Sequence, residues 1–454
     1  MYTYISDHLF LRQEKEFAIC FDERPDYCLS YLYKISLEDF FPLTLFNSWI
    51  TSQEIASILD QSGYGNRCGV DWINYLTERY SDILSTSSER GARSHILVTN
   101  KNLGAYPTCD APNKLAFPIM VSIRLNNYCD SKCVYCFNRS NRSLHSQLDY
   151  EDFKSVVLQL QYGGVTTLNI TGGDPFCHPD IYKILDLLVS LNFYFNISTK
   201  RILDKDEISQ LVEVGVKRIQ ISIDSSDDAI NEKLIHREQY FYKQKKVIQE
   251  LVRCGIEVEV NSVINALNIN TIGCLLVALN DLGVKRLTLT PYLSVNPYLD
   301  SYLMTTETQI TNLWKDLKQY NGLSIIWDFA IPEQDIAHSY YGGEHNICSG
   351  GRMSLVINHD GCVTLCERLV DNSAFSVGNI LKSKFIEIWN GEKLLELTHP
   401  CPQQFYGTQC YSCDNFDKCI TQKGPCYARI AKVSSRKFDC DPFCDQALKK
   451  VRFH

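Results

Sequence analysis

No stretch of this 454-residue chain comes near the roughly eighteen consecutive apolar residues of a membrane-spanning helix, so none is expected. The opening residues, MYTYISDHLFLRQEKEF, lack a basic n-region and a hydrophobic h-region, so no secretory signal is expected either. Positive charge is in short supply: 45 Lys and Arg stand against 53 Asp and Glu, a net charge of −8. That balance argues against a nucleic-acid polyanion as the main partner. Repeats and low-complexity tracts are missing. With 45% hydrophobic and 22% charged residues, a disordered, collagen-like or coiled-coil chain is excluded. Cysteine is about 4% of the chain, below the roughly 8–10% that marks a disulfide scaffold. At about 150 residues per domain, the length suggests three domains, or a large one with appendages.

The cysteines that are present number twenty, and they are unevenly placed. Ten of them (Cys348, Cys362, Cys366, Cys401, Cys410, Cys413, Cys419, Cys426, Cys440 and Cys444) lie between residue 348 and the end. Clustered thiols in a chain expected to be cytoplasmic point to metal binding rather than disulfides. Cys20, Cys28, Cys68, Cys109, Cys177, Cys254 and Cys274 read as ordinary buried thiols.

Three regions separate by pattern. Residues 1–95 hold short alternating segments (HLFLRQ, EFAICF) and then helical stretches (TSQEIASIL, VDWINYLTERYSDIL), with Thr51 or Ser52 as cap and Glu54 in the first turn. Eight Lys and Arg against 14 Asp and Glu place most of the net charge here. Residues 96–115 read as a linker with a short strand near His95 to Val98. From residue 116 to about 335, six strand-like segments alternate with helices, from FPIMVSIRL to RLTLTPY. That alternation implies a parallel sheet with helical crossovers, either open or closed into a full or partial (β/α) barrel. Residues 340–454 are rich in cysteine, glycine and turn residues.

The loop after the first of these strands reads Cys129-Asp-Ser-Lys-Cys133-Val-Tyr-Cys136. Three thiolates within eight residues can converge on one point, and they leave one iron of a four-iron cubane open. Zinc is the alternative, but a structural zinc site wants four ligands and no fourth lies nearby in sequence.

This C-x3-C-x-aromatic-C pattern, with Tyr135 in the aromatic place, resembles the radical S-adenosylmethionine (radical SAM) superfamily. The resemblance implies a partial (β/α)6 TIM-like barrel and a [4Fe–4S] cluster whose unique iron chelates S-adenosylmethionine. Reductive cleavage of the sulfonium then yields a 5′-deoxyadenosyl radical, the cofactor carrying the hard chemistry. Motifs over residues 117–295 agree with it. Gly172-Gly173-Asp174-Pro175 after the second strand matches the Gly-Gly-Glu-Pro motif, with Asp in place of the usual Glu; its glycines are expected to let backbone approach the methionine amino group. Ser198 and Lys200 end the third strand, where a ribose contact is expected. Ser222 and Asp224 end the fourth, Arg237 follows as a partner for the methionine carboxylate, and Asn261 ends the fifth, near the adenine.

The tail resembles the SPASM extension of radical SAM peptide- and protein-modifying enzymes. Cys348, Gly361, Cys366, then Cys410-x2-Cys413-x5-Cys419-x6-Cys426 and finally Cys444 follow its order, with six residues where the pattern has three before Cys426. The loop from Ile420 to Gly424 and Pro425 are expected to absorb that insertion. By order, Cys410, Cys413, Cys419 and Cys444 would hold one auxiliary [4Fe–4S] cluster. Cys348, Cys366 and Cys426 would hold three corners of the other, its fourth corner open or taken by Cys362, Cys401, Cys440 or His345. An open corner could bind a substrate cysteine as thiolate. Glu367, next to Cys366, stands where related enzymes place an acid used as base; a solvated or supporting carboxylate is the alternative. A structural zinc domain is the alternative for the whole tail.

Residues 1–95 resemble a winged-helix peptide-recognition element, which takes an extended leader segment as an added strand. Together these resemblances imply a maturase of ribosomally made peptides. Such an enzyme abstracts a hydrogen and forms a crosslink, most readily a cysteine thioether, with auxiliary clusters taking the electron. A flavodoxin- or ferredoxin-like protein would be the electron donor. A C–C crosslink or another side-chain oxidation is the alternative chemistry, and a non-enzymatic iron–sulfur or zinc peptide-binding scaffold the alternative class.

Overall fold

The alternating segments at the front pair with one another. β1 (Tyr2–Ile5), β2 (Leu9–Gln13), β3 (Ala18–Asp22) and β4 (Leu32–Ile35) lead into α1 (Leu37–Thr44), α2 (Ser52–Ser62) and α3 (Gly69–Arg79), then β5 (Leu84–Ser87) and β6 (Ile96–Leu97). This computed structural model describes residues 2–89, 96–97, 111–136, 146–292, 301–327, 348–442 and 444, except 7–8, 15–16, 23–31, 48, 112, 319, 371 and 423. Cys28, Cys109 and His345 therefore lie outside the described residues, as does most of the expected linker.

Thr51 caps α2 as its sequence suggests: its hydroxyl accepts from the Glu54 N–H while the Glu54 carboxylate accepts from the Thr51 N–H. The helix expected through Leu84 stops at Arg79 instead, and Leu84 to Ser87 pair antiparallel with β1. Pairing with a distant strand overrides the local helical pattern there. A four-stranded sheet runs in the order β4-β3-β2-β6, and its short strand β6 lies where one was expected.

The sheet of the front unit is locked onto the next by a buried charge. Arg12, on β2, is fully buried, and its guanidinium donates to Glu14 (2.9 Å) and to the carbonyls of Phe117 (2.7 Å), Pro118 (3.1 Å) and Gly164 (3.3 Å). Glu14 in turn accepts from the Ala116 N–H at 2.7 Å. Phe10, Ile19 and Phe21 pack with Leu115, Ile119 and Met353 around this joint.

From β7 (Met120–Arg124) the expected alternation appears: α4 (Tyr150–Tyr162), β8 (Thr167–Thr171), α5 (Ile181–Ser190), β9 (Tyr194–Thr199), α6 (Lys205–Val214), β10 (Arg218–Ser222), α7 (Asp228–Ile235), α8 (Tyr240–Arg253), β11 (Glu257–Ile264), α9 (Ile272–Asp281) and β12 (Arg286–Pro291). The strands pair parallel in sequence order, which makes an incomplete (β/α)6 barrel. Helix α7 was not expected. Nor was β13 (Ser324–Trp327), which follows α10 (Glu307–Leu317) and adds parallel to β12.

Alternation along these strands sorts the residues by face. Val121, Ile123, Leu168, Ile170, Ile219, Ile221, Val258, Val260, Leu287 and Leu289 belong to the core shared with the helices. The opposite face carries Ser122, Arg124, Asn169, Asn196, Gln220, Asn261 and Thr288, so the barrel has a polar interior.

The cysteine-rich tail is continuous with the barrel. β14 (Ser354–Ile357) adds parallel to β7, and β15 (Cys362–Thr364) and β16 (Gly378–Asn379) extend the sheet to ten strands. After them come α11 (Phe385–Trp389), α12 (Glu392–Thr398), α13 (Phe416–Gln422) and α14 (Tyr427–Val433). Among the described residues no helix is long and apolar enough to cross a membrane.

Candidate metal and cofactor centres

Cys129, Cys133 and Cys136 follow the end of β7, where the strand ends of a parallel barrel form its functional face. Cys129 is buried and the other two are half-buried. Backbone bonds shape the loop: the Val134 N–H reaches Leu234 O on α7 (2.9 Å) and the Cys136 N–H reaches Cys133 O (3.2 Å). Burial pushes the Cys129 thiol up to about 12 and the Cys133 thiol up to about 11. The Lys200 ammonium acts in the opposite direction on Cys133. Cationic iron would displace these protons, since a coordinating thiol is deprotonated.

The second strand's glycine loop lies directly on this loop. The Gly173 N–H donates to Asn126 O (2.8 Å) and the Asp174 N–H to Tyr128 O (2.8 Å). A Cβ on Gly173 would meet Tyr128 O at 1.8 Å; one on Gly172, where φ is 153°, would meet Asn126 O at 2.7 Å. Glycine is thus required for backbone to approach the cysteine loop. Asp174 is 2% exposed and braces two strand ends, accepting from the Phe176 N–H, the Thr199 hydroxyl and the Lys200 N–H. Its neighbour Pro175 opens a buried 3-10 turn.

Cys129, Asp130 and Asp174 bring donor atoms within 4.8 Å of one another. They do not read as a single-ion site, because Asp130 is paired with Arg237 at 2.5 Å and Asp174 is held by its three donors. Arg237 also donates to Lys200 O (2.9 Å), so the residue expected at the methionine carboxylate grips the cysteine loop and the third strand end.

Asp224, fully buried, ties the remaining parts together. It accepts from the Tyr135 hydroxyl, from Lys200 Nζ (3.4 Å) and from the Val263 N–H (2.9 Å). Burial disfavours the Lys200 ammonium, but Asp224 and Cys133 outweigh that and hold it charged. Ser222 O accepts from Tyr240 and Lys200. Ser222 lies in register with Asn261, and Gln220 with Ser198, so the expected polar residues share the same barrel rim. Asn126 and Tyr240 were missed in the sequence, where no local pattern marks them.

The two auxiliary sets separate in space. Cys348 and Cys426 are electrostatic neighbours, as are Cys366 and Cys348, with Arg352 and Arg429 beside Cys348. The six-residue insertion is absorbed where α13 ends: the Gly424 N–H turns back to Cys419 O (2.7 Å) with a left-handed φ of 73°. Of the residues expected as a fourth ligand, Cys362 donates its thiol to Ser376 (3.1 Å) and Cys401 is exposed. Cys440 belongs to the other set: its sulfur lies 3.3 Å from that of Cys410, which also neighbours Cys444 and Cys419. Among the described residues, then, three cysteines form the first set. Cys413 is half-buried beside the second. Outside both sets, Cys20 is buried as expected, whereas Cys68 and Cys274 are exposed.

Glu367 reaches from the first set into the barrel. It accepts from Asn169 (3.3 Å) on β8 and is hydrogen-bonded to Ser122 on β7, near Arg124. Burial raises its carboxyl above the ordinary carboxylate range, against these bonds.

Residues 123–282 match the model of the Radical SAM superfamily, and residues 348–414 match that of SPASM, an iron–sulfur cluster-binding domain. The chain carries a radical SAM domain followed by a SPASM domain. It is a radical SAM enzyme with a SPASM extension, and the thiol sets, glycine cradle and barrel rim fit one [4Fe–4S] cluster with S-adenosylmethionine plus auxiliary clusters. Among curated relatives, PqqA peptide cyclase of Methylocella silvestris is 23% identical over 350 residues, covering 74% of this chain and 89% of that protein. The antilisterial bacteriocin subtilosin biosynthesis protein AlbA of Bacillus subtilis is 26% identical over 347 residues, covering 75% and 73%. Streptococcus suis SuiB, solved with precursor peptide SuiA, superposes with a TM-score of 0.70 at 18% identity, over 98% of this chain and 100% of that one.

Proposed function

We propose that this radical SAM enzyme modifies a ribosomally made precursor peptide and closes a crosslink from a cysteine sulfur to a carbon, a thioether. The relatives' names support the peptide part of this reading: one is a cyclase of the PqqA peptide, one serves bacteriocin biosynthesis, and SuiB binds a precursor peptide. The observation that carries the thioether is Glu367. It follows Cys366 directly and projects onto Ser122 and Asn169, so the first auxiliary set opens onto the barrel interior that the radical SAM rim also faces.

When bound, the radical SAM cluster and S-adenosylmethionine supply the carbon radical that abstracts hydrogen from the peptide. The chain's own residues do the rest. Asp224, Tyr135 and Lys200 fix the cysteine loop against the third and fourth strand ends. Asp174 and Arg237 hold the same loop from the other side, and Ser198, Ser222 and Asn261 line the rim for the cofactor. Glu367 takes the proton of the substrate thiol, oriented by Asn169 and Ser122. The polar interior suits an extended peptide backbone, whose N–H and C=O groups need partners once removed from water. The front sheet, fixed to the barrel by Arg12, binds the leader segment by strand addition. A flavodoxin- or ferredoxin-like protein supplies electrons.

The test is incubation with a cysteine-bearing precursor peptide, sought among the short reading frames that neighbour the gene. A thioether predicts loss of two hydrogens by mass and a cysteine that no longer alkylates. Loss of two hydrogens with the thiol still alkylatable would favour a C–C crosslink instead.

A further inference from the structure

We propose that the Lys200 ammonium is a fixed charge that raises the reduction potential of the radical SAM cluster through its ligand Cys133, making that cluster easier to reduce. This rests on the radical SAM site and not on which bond the enzyme forms. In sequence, Lys200 reads as a polar strand end suited to the cofactor's ribose. The fold gives its charge a different neighbour.

Lys200 starts from a clamped backbone just past the end of β9. Its N–H donates to Asp174 (2.9 Å) and its carbonyl accepts from Arg237 (2.9 Å). The side chain is 13% exposed, and Nζ lies 3.4 Å from both the Ser222 carbonyl and the Asp224 carboxylate. The same ammonium stands 5.6 Å from the ring centroid of Tyr135, which lies between Cys133 and Cys136 in the chain. Asp224 also accepts from the Tyr135 hydroxyl and from the Val263 N–H (2.9 Å). A buried ion pair often contributes no more stability than apolar side chains of the same volume, so stability alone does not explain this one.

The electrostatics single out one sulfur. After burial itself, the strongest influence on Cys133 is Lys200, and the next is Asp224, of opposite sign. On Cys129 the acidic neighbours Asp174 and Asp130 act instead, and Asp130 is paired with Arg237. One-electron reduction adds a negative charge to an iron–sulfur core already held by three thiolates, with no bond or proton changing place. A cation fixed beside a ligand sulfur in a site of low dielectric favours that more negative state. The electron comes from the flavodoxin- or ferredoxin-like donor.

The experiment is an anaerobic redox titration of the reconstituted full chain without S-adenosylmethionine, using dithionite and mediators and read by electron paramagnetic resonance. The radical SAM signal is identified as the one that changes when S-adenosylmethionine is added afterwards. Lys200→Met is expected to shift the reduction equilibrium at least about tenfold towards the oxidised cluster, a fall of about 59 mV for one electron. Lys200→Arg should stay near the unmutated value, and Asp224→Asn should shift the potential upwards. Damage to packing does not move a potential in opposite directions for charges of opposite sign. If one of Lys200→Met and Asp224→Asn fails to load iron, the other decides by itself; loss of the cluster in both marks the pair as structural and overturns the proposal. An unchanged potential in Lys200→Met, equal falls in the Met and Arg variants, or a fall in Asp224→Asn also overturns it. An unchanged potential with weaker S-adenosylmethionine binding would return Lys200 to a cofactor contact.

Discussion

Replacing Arg12 with Met tests how firmly the front sheet is joined to the barrel. The guanidinium is fully buried and has four partners: the Glu14 carboxylate and the carbonyls of Phe117, Pro118 and Gly164. Methionine fills much of the volume but donates nothing. Glu14, 2% exposed, then retains the Ala116 N–H and loses its counter-charge. Breaking a buried pair by removing one partner costs about 3–5 kcal/mol, because the remaining charge stays desolvated. With a urea dependence of about 2 kcal/mol/M, a loss of about 4 kcal/mol lowers the unfolding midpoint by about 2 M. The assay is equilibrium urea unfolding followed by far-ultraviolet circular dichroism. The double change Arg12→Met with Glu14→Leu removes the stranded charge and should recover at least about 2 kcal/mol. A cost below about 1 kcal/mol for the single change, or no recovery in the double, would refute the reasoning.

Three further outcomes are expected. Gly173→Ala places a methyl group 1.8 Å from Tyr128 O and so displaces the cysteine loop; the reconstituted variant should fall short by about four irons and release no 5′-deoxyadenosine, and full iron loading would contradict this. Glu367→Gln should slow crosslink formation about 10²–10⁴-fold while 5′-deoxyadenosine is still released; equal loss of both would mark Glu367 as structural. His178 is 2% exposed, and burial lowers its pKa below the ordinary 6.5, with Nε2 bonded to Leu148 O and Nδ1 accepting from the Asp180 N–H. A depressed folded pKa gives stability that is present above the unfolded value and is lost as pH falls through the folded one. Melting temperatures of the native protein should therefore drop below about pH 6.5 more steeply than those of His178→Gln; parallel curves would remove His178 as the cause.

The barrel and its radical SAM loop were legible because their signals are local. The alternation of strand and helix needs only a few residues to show itself, and three cysteines within eight residues converge wherever the chain runs. Polar residues at strand ends were legible for the same reason. The failures were of another kind. The segment after Arg79 has a helical pattern that loses to pairing with β1, more than seventy residues away in sequence. β13 follows a helix without a distinctive pattern and is held by its neighbour in the sheet. That the missing side chain of Gly173 also answers to the Tyr128 carbonyl was not legible, because that carbonyl comes from a distant loop.

By itself, then, the sequence determined which chemistry this protein carries: thiol spacing chooses iron–sulfur ligands, and periodicity chooses a parallel barrel, both through residues close together in the chain. The tertiary structure decided how those ligands are shared out and what they face. Cys440 lies at Cys410 and not with Cys348, Glu367 crosses from the tail into the barrel, and Arg12 pins the front sheet to the carbonyls of residues more than a hundred positions away. Each of these depends on desolvation and contact between distant segments, which come into existence only when the chain has closed on itself.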